Sequence, residues 1–241
     1  MGTRSVLAAT AGLLLFSCYG QAEPAGSWTL VSQVRVQVQE PSALCLDPTT
    51  GEFWTVSDET GMIHRIDSTG TVTRTLAWTG DDLEGICTDP RDGSLWVAAE
   101  RDGQAVHLSI HGTELARFTL EPAAGRGNSG LEGIECDPQG RLWLVQEKDP
   151  GLLFIWDPIR GDLETRTLDF ARDYSGLALD PERDGIWVVS DESESLTFLG
   201  NDGTRLEYTL GLERLEGVAV AGDRVWVLSD SNATLFEIQL H

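Results

Sequence analysis

Positive charge is scarce in this chain. Seventeen Lys and Arg stand against 39 Asp and Glu over 241 residues, a formal net charge of −22. That balance excludes a nucleic-acid partner, because phosphate contacts need a basic face. It suits a solvated acidic surface and is compatible with cation binding. Cysteine is scarce too. There are four, and no CxxC or Cys/His spacing that would hold a soft metal. Cys45 and Cys87 fall at equivalent places in two repeats and should point the same way round a ring. That geometry disfavours a bond between them, since a disulfide needs its Cβ atoms facing each other. With Cys136 they are expected as buried thiols. Histidine is limited to His64, His107, His111 and His241, and there is no GxSxG. A Ser-His-Asp triad therefore has no obvious members. Ser129, in GNSG, reads as part of a tight turn.

Apolar runs long enough to span a bilayer are also missing. The nearest is Val6 to Phe16, which follows Arg4 and has the length of a signal-peptide core. It runs into LLFSC, Leu14 to Cys18, the pattern of a bacterial lipobox. Residues 1–18 are thus expected to be a lipoprotein-type signal ending at Cys18, the lipidated residue. Residues 19–26 form a short polar tether, and 27–241 form one domain. The expected location is the cell envelope, anchored by lipid and facing the periplasm. Cleavage after Ala22 would instead release a soluble periplasmic or secreted protein. A monomer is expected, touching the membrane only through the N-terminal lipid.

What the chain has is a repeat. Trp54, Trp96, Trp143, Trp187 and Trp226 are each followed four residues later by an acid: Asp58, Glu100, Glu147, Asp191 and Asp230. The Trp positions step by 42, 47, 44 and 39 residues. A period near forty built from short strands is the pattern of a β-propeller, one blade per repeat. Each repeat opens with a small motif: PSAL at 41–44, LEGI at 83–86, LEGI at 131–134, YSGL at 174–177 and LEGV at 215–218. A strand, an Asp-Pro type turn, the Trp strand and two further strands follow. The last repeat stops after its third strand. Its fourth is expected from 27–38, SWTLVSQVRVQV, which closes the ring and removes exposed edges. The prediction is an all-β, five-bladed propeller of four-stranded blades. A six-bladed ring, the alternative, would need about forty more residues.

Antiparallel pairing sets the start of each first strand beside the end of the second. Ser42, Glu84, Glu132, Ser175 and Glu216 should therefore meet the five outer acids at one end of the ring. The inner acids Glu84, Glu132 and Glu216 are the predicted metal ligands. Like charges this close need raised pKa values or a bound cation. Oxygen ligands without His or Cys fit Ca²⁺ or Mg²⁺, and flexible carboxylates at a wide mouth favour Ca²⁺. Asp58, Glu100, Glu147, Lys148, Asp191 and Asp230 are the predicted ligand-binding set. For the outer acids, capping of turn amides is the competing reading. The five Trp residues are expected to pack the blades.

DLEGI (82–86), NSGLEGI (128–134), WLVQEKDP (143–150), DYSGLALD (173–180), VVSDES (188–193) and LEGVAV (215–220) occur in this order. In them the chain resembles the SdiA-regulated family of bacterial envelope proteins, over roughly 28–239. The first repeat departs most, with EPSAL in place of an acidic LEG. The resemblance implies export and a propeller, and no defined chemistry. The pattern is more distantly similar to calcium-dependent esterase and phytase-like propellers. Three functions follow as expectations. The first is a non-catalytic propeller binding a divalent cation and a small ligand or protein. The others are a Ca²⁺-dependent esterase or lactonase-like hydrolase and a protein-interaction scaffold. Phosphoester chemistry is disfavoured, since the inner ring offers no basic group.

Overall fold

The structure is a computed structural model that describes residues 26–125 and 129–241. The proposed signal, Cys18 and all but the last residue of the tether lie outside the described residues. So does Asn128 of the NSGLEGI motif.

The first strand, β1 (Trp28–Arg35), precedes the first blade. Blade 1 is β2 (Cys45–Leu46), β3 (Phe53–Val56), β4 (Met62–Ile66) and β5 (Val72–Thr79). Blade 2 is β6 (Leu83–Thr88), β7 (Leu95–Ala99), β8 (Gln104–Leu108) and β9 (Glu114–Thr119). Blade 3 is β10 (Leu131–Cys136), β11 (Leu142–Gln146), β12 (Leu152–Trp156) and β13 (Leu163–Thr167). Blade 4 is β14 (Gly176–Asp180), β15 (Gly185–Ser190), β16 (Ser195–Gly200) and β17 (Arg205–Thr209). Blade 5 is β18 (Leu215–Ala221), β19 (Arg224–Ser229) and β20 (Thr234–Leu240), completed by β1. No helix occurs among the described residues.

The ring closes as expected. Strand β1 pairs antiparallel with β20 from Trp28↔Leu240 to Arg35↔Thr234. Backbone bonds between Ser27 and His241, at 3.3 and 2.8 Å, tie the two ends together. The Trp28 indole donates to the Thr209 carbonyl in blade 4 at 3.0 Å, fixing the shared blade against its neighbour. The five blades therefore form a closed circle, with no sixth unit among the described residues.

Second strands read as continuous apolar runs, such as LWVAA in β7 and LWLVQ in β11, because each is buried on both faces. Fourth strands alternate, as in β5, because one face meets water. The repeat Trps pack between blades, from 0% exposed at Trp54 to 7% at Trp143 and Trp226. Burying an indole N–H requires an acceptor. In three blades the acid of the Asp-Pro turn supplies it: Trp96 to Asp89 at 3.2 Å, Trp143 to Asp137 at 3.1 Å and Trp187 to Asp180 at 2.9 Å. The Trp54 indole N–H finds no such acceptor. Thus the turn carboxylates are structural, while those at the other end of each hairpin face the axis. Cys45, Cys87 and Cys136 are buried free thiols.

Candidate functional site

The LEG motif begins the innermost strand of a blade, and its glutamate interrupts the pairing. In blade 2, Leu83 faces Ala99 while Gly85 faces Ala98, so Glu84 is an extra residue in a β-bulge. In blade 5 the register slips between Leu215↔Ser229 and Gly217↔Leu228, at Glu216. In blade 3 it slips between Leu131 and Ile134, across Glu132. A bulge leaves one residue outside the ladder and re-aims its side chain. The glycine that follows lets the strands crowd the axis.

The result is one acidic basin of about 350 Å³ at one end of the channel. All ten residues grouped from the sequence line it: Ser42, Glu84, Glu132, Ser175 and Glu216 with Asp58, Glu100, Glu147, Asp191 and Asp230. Glu40, Asp82, Arg101 and Asp173 also line it. Glu40, Asp82 and Asp173 stand two residues before the inner position in their repeats, as in EPS, DLE and DYS. That recurrence was the signal for them. Their segments hold the outer acids. The amide of Asp58 donates to Glu40 O at 3.1 Å, that of Glu100 to Asp82 O at 2.9 Å, and that of Asp230 to Arg214 O at 3.0 Å.

Lys148 is placed differently from the predicted ligand-binding set. It lies beside the basin and not in its lining, with Nζ 2.6 Å from Glu147 and 3.1 Å from Glu192. Arg101 Nη2 holds Asp82 at 2.8 Å, and Arg214 Nη1 holds Asp230 at 2.9 Å. Each of these cations is therefore paired with an acid of the basin lining: Arg101 with Asp82, Lys148 with Glu147 and Arg214 with Asp230. Two outer acids also cap backbone across the blade boundary. Glu100 accepts from the Gly130 amide at 2.9 Å, and Asp191 from the Arg214 amide at 2.6 Å. Capping and basin-lining are thus combined in the same side chains.

The three inner glutamates do not gather their oxygens in one place. Carboxylate oxygens come within 4.8 Å of one another in three sets at the mouth. These are Asp58, Asp82 and Glu84; Glu100, Glu132 and Glu147; and Glu147, Asp173 and Glu192. Glu216 belongs to none of these sets among the described residues. Glu84 and Glu132 each meet an outer acid across one blade boundary, Asp58 and Glu100, and Glu132 also meets Glu147 of its own blade.

The electrostatics follow from crowding under partial burial. Burial, then Asp58, Glu216 and Glu100, push Glu84 up to about 9. Burial and the charges of Asp230, Asp191 and Asp173 push Glu216 up to about 8. Glu100 rises to about 7 through burial, opposed by the Gly130 amide. Glu132 lies well above the carboxylate range, through burial and then Glu84, Glu100 and Glu216. It is 8% exposed. No hydrogen-bond donor or cation meets its carboxylate among the described residues.

Five four-stranded blades in a closed ring, with carboxylates gathered at one mouth, define an acidic-mouthed β-propeller. The chain belongs to the SdiA-regulated family, whose model matches residues 27–216. Among solved structures it is similar to a streptogramin B lyase, at 13% identity and a TM-score of 0.54, covering 89% of this chain and 98% of that one. It is similar to the PQQ-bound aldose sugar dehydrogenase of Streptomyces coelicolor, at 15% identity and a TM-score of 0.56, covering 91% and 100%. A chain of a nidogen/laminin complex matches at 16% identity and a TM-score of 0.59, covering 80% and 73%. At these identities the likeness is one of fold alone.

Proposed function

We propose that this protein is an exported, lipid-anchored propeller that binds a divalent cation, Ca²⁺, in the acidic basin, and through it a small ligand or a protein. One observation carries the cation: Glu132 is nearly buried, is surrounded by other carboxylates, and has no donor or cation of its own among the described residues. A buried carboxylate without a partner costs several kcal/mol unless it is protonated or meets a cation. The cations Arg101, Lys148 and Arg214 are spent on Asp82, Glu147 and Asp230. The donor set is oxygen only, which suits Ca²⁺ better than Zn²⁺.

Calorimetric titration of the purified protein with CaCl₂ tests this. We expect saturable binding, weakened about 100-fold (~2.7 kcal/mol) by Glu132→Gln. A heat-silent titration with no change in melting temperature would remove the cation from the account. The anchor rests on the LLFSC sequence ending at Cys18. Cell fractionation should find the natural chain in the membrane pellet and Cys18→Ser in the soluble fraction or unprocessed. Wild-type protein found wholly soluble would mean that Cys18 carries no lipid.

A further inference from the structure

The channel has a second end, unlike the first. Between the two lies a waist formed by Gly85, Gly133, Gly176 and Gly217 with Ala43 and Leu44, where about 10 Å³ remains free. That is at or below the room one water needs, so the two ends are separate compartments. Beyond the waist the channel opens into a basin of about 320 Å³ to which all five blades contribute. Its walls are apolar, from Leu46, Leu179 and Val220 to rim prolines such as Pro90 and Pro138. Among the described residues, Glu135 is the only one in the lining that can carry a full charge apart from the thiols of Cys45 and Cys136.

Register shows that Glu135 is not imposed by the fold. It faces Trp143 across the first hairpin of blade 3. The residues facing the repeat Trp in the other blades are Cys45, Cys87, Ala178 and Ala219. Four blades therefore put a small uncharged side chain where blade 3 puts a carboxyl. That carboxyl meets the Cys136 amide, and no Lys or Arg pairs with it among the described residues.

We propose that this second basin binds an organic ammonium, a protonated amine whose nitrogen meets Glu135 and whose compact apolar body fills the space beside Leu46, Leu179 and Val220. Charge complementarity selects the cation, since one carboxyl without a basic partner lies within a mostly apolar wall whose other polar side chains, Thr88 and the thiols, are uncharged. A metal ion is disfavoured there. Ca²⁺ needs six to eight oxygen ligands, and one carboxylate among aliphatic side chains cannot replace its hydration shell. An organic ammonium loses less on desolvation and gains apolar contact. The groups around Glu135 oppose nothing. Cys45, Cys87 and Cys136 are held as neutral thiols by burial, which pushes all three up. Burial likewise raises Glu135 to about 8, and an ammonium beside it would restore the ionised form.

The test compares cyclohexylamine with cyclohexanol, titrated by NMR into the full chain and into Glu135→Gln, Glu135→Ala and Glu132→Gln. We expect the amine to bind about tenfold more tightly than the alcohol. Both Glu135 variants should abolish that preference. Glu132→Gln, at the other mouth, should keep it. Glu135→Ala places in blade 3 the residue that blades 4 and 5 hold, and should melt no lower than the natural protein. Equal affinity for amine and alcohol would overturn the proposal, as would absence of amine binding. Loss of the preference in Glu132→Gln alone would assign the amine to the acidic mouth and overturn it as well. Calcium binding at the acidic mouth can fail without touching this outcome.

Discussion

Stripped of calcium with a chelator, the protein should lose stability as the pH rises from about 5 to about 9, by on the order of 4 kcal/mol, and saturating calcium should remove most of the loss. The sign follows from raised carboxyl groups. Glu100, Glu216 and Glu84 are pushed up to about 7, about 8 and about 9 in the folded chain, and Glu132 lies higher than the ordinary range. In the unfolded chain these groups ionise in the ordinary carboxylate range. Between the two, the folded state holds protons that the unfolded state has released, so stability falls with each step in pH. The fall begins above the ordinary range and ends near the highest folded value. The magnitude is well below the sum of the individual shifts, because the groups interact and partial exposure screens them. Calcium bound in the basin as proposed should substitute for the protons and flatten the curve. Thermal unfolding across this range, in EDTA and in CaCl₂, should show the chelated protein melting lower by about 8–16 °C at the alkaline end. Glu84→Gln should flatten part of the slope in EDTA. A melting temperature independent of pH in EDTA would mean that the acids ionise without cost, and the cation would have nothing to compensate.

Gly217→Ala should destabilise the protein by about 2–3 kcal/mol, and Gly217→Val should prevent ring closure. A Cβ on Gly217 would lie 2.5 Å from the Leu44 amide nitrogen and 2.8 Å from the Ala43 carbonyl carbon. Both are backbone atoms of the next blade, so no rotamer change relieves the clash. The same holds for Gly133 against Leu177 N at 2.7 Å and Gly85 against Glu132 O at 2.5 Å. These glycines allow the innermost strands to approach across the blade boundary, and they stand beside the bulged glutamates. Their substitution should therefore lower calcium affinity along with stability. Blade 1 carries Ala43 at this place, so Ala43→Gly is the control and should cost less than about 1 kcal/mol. Denaturant titration decides the matter. A Gly217→Ala midpoint equal to wild type would mean that the ring can widen without penalty.

Much of the mouth could be read before any coordinates. The Trp and the acid four residues on, together with the turn midpoints, brought Ser42, Glu84, Glu132, Ser175, Glu216 and the five outer acids to one end of the ring, and all ten line one basin. Antiparallel pairing makes such grouping a matter of counting. Asp82 and Asp173 were missed although their spacing recurs, because a residue ahead of a strand has no ladder partner to place it. Lys148 was grouped with the basin by its neighbour Glu147, but its chain turns outward to Glu192. Glu135 gave no signal at all, since one departure from a repeat reads as drift until the basin around it is seen.

Blade number, strand order, the shared last blade and the end of the ring at which the acids collect were determined by the sequence alone. Each rests on local periodicity and on hairpin pairing, which act within about forty residues. Which carboxylates share a set of oxygens, which amide each outer acid caps, and how the waist divides the channel were decided only by tertiary structure. Those depend on bulges that rotate single side chains and on how closely neighbouring blades approach. Packing between blades sets distances of a few ångströms that no repeat pattern encodes.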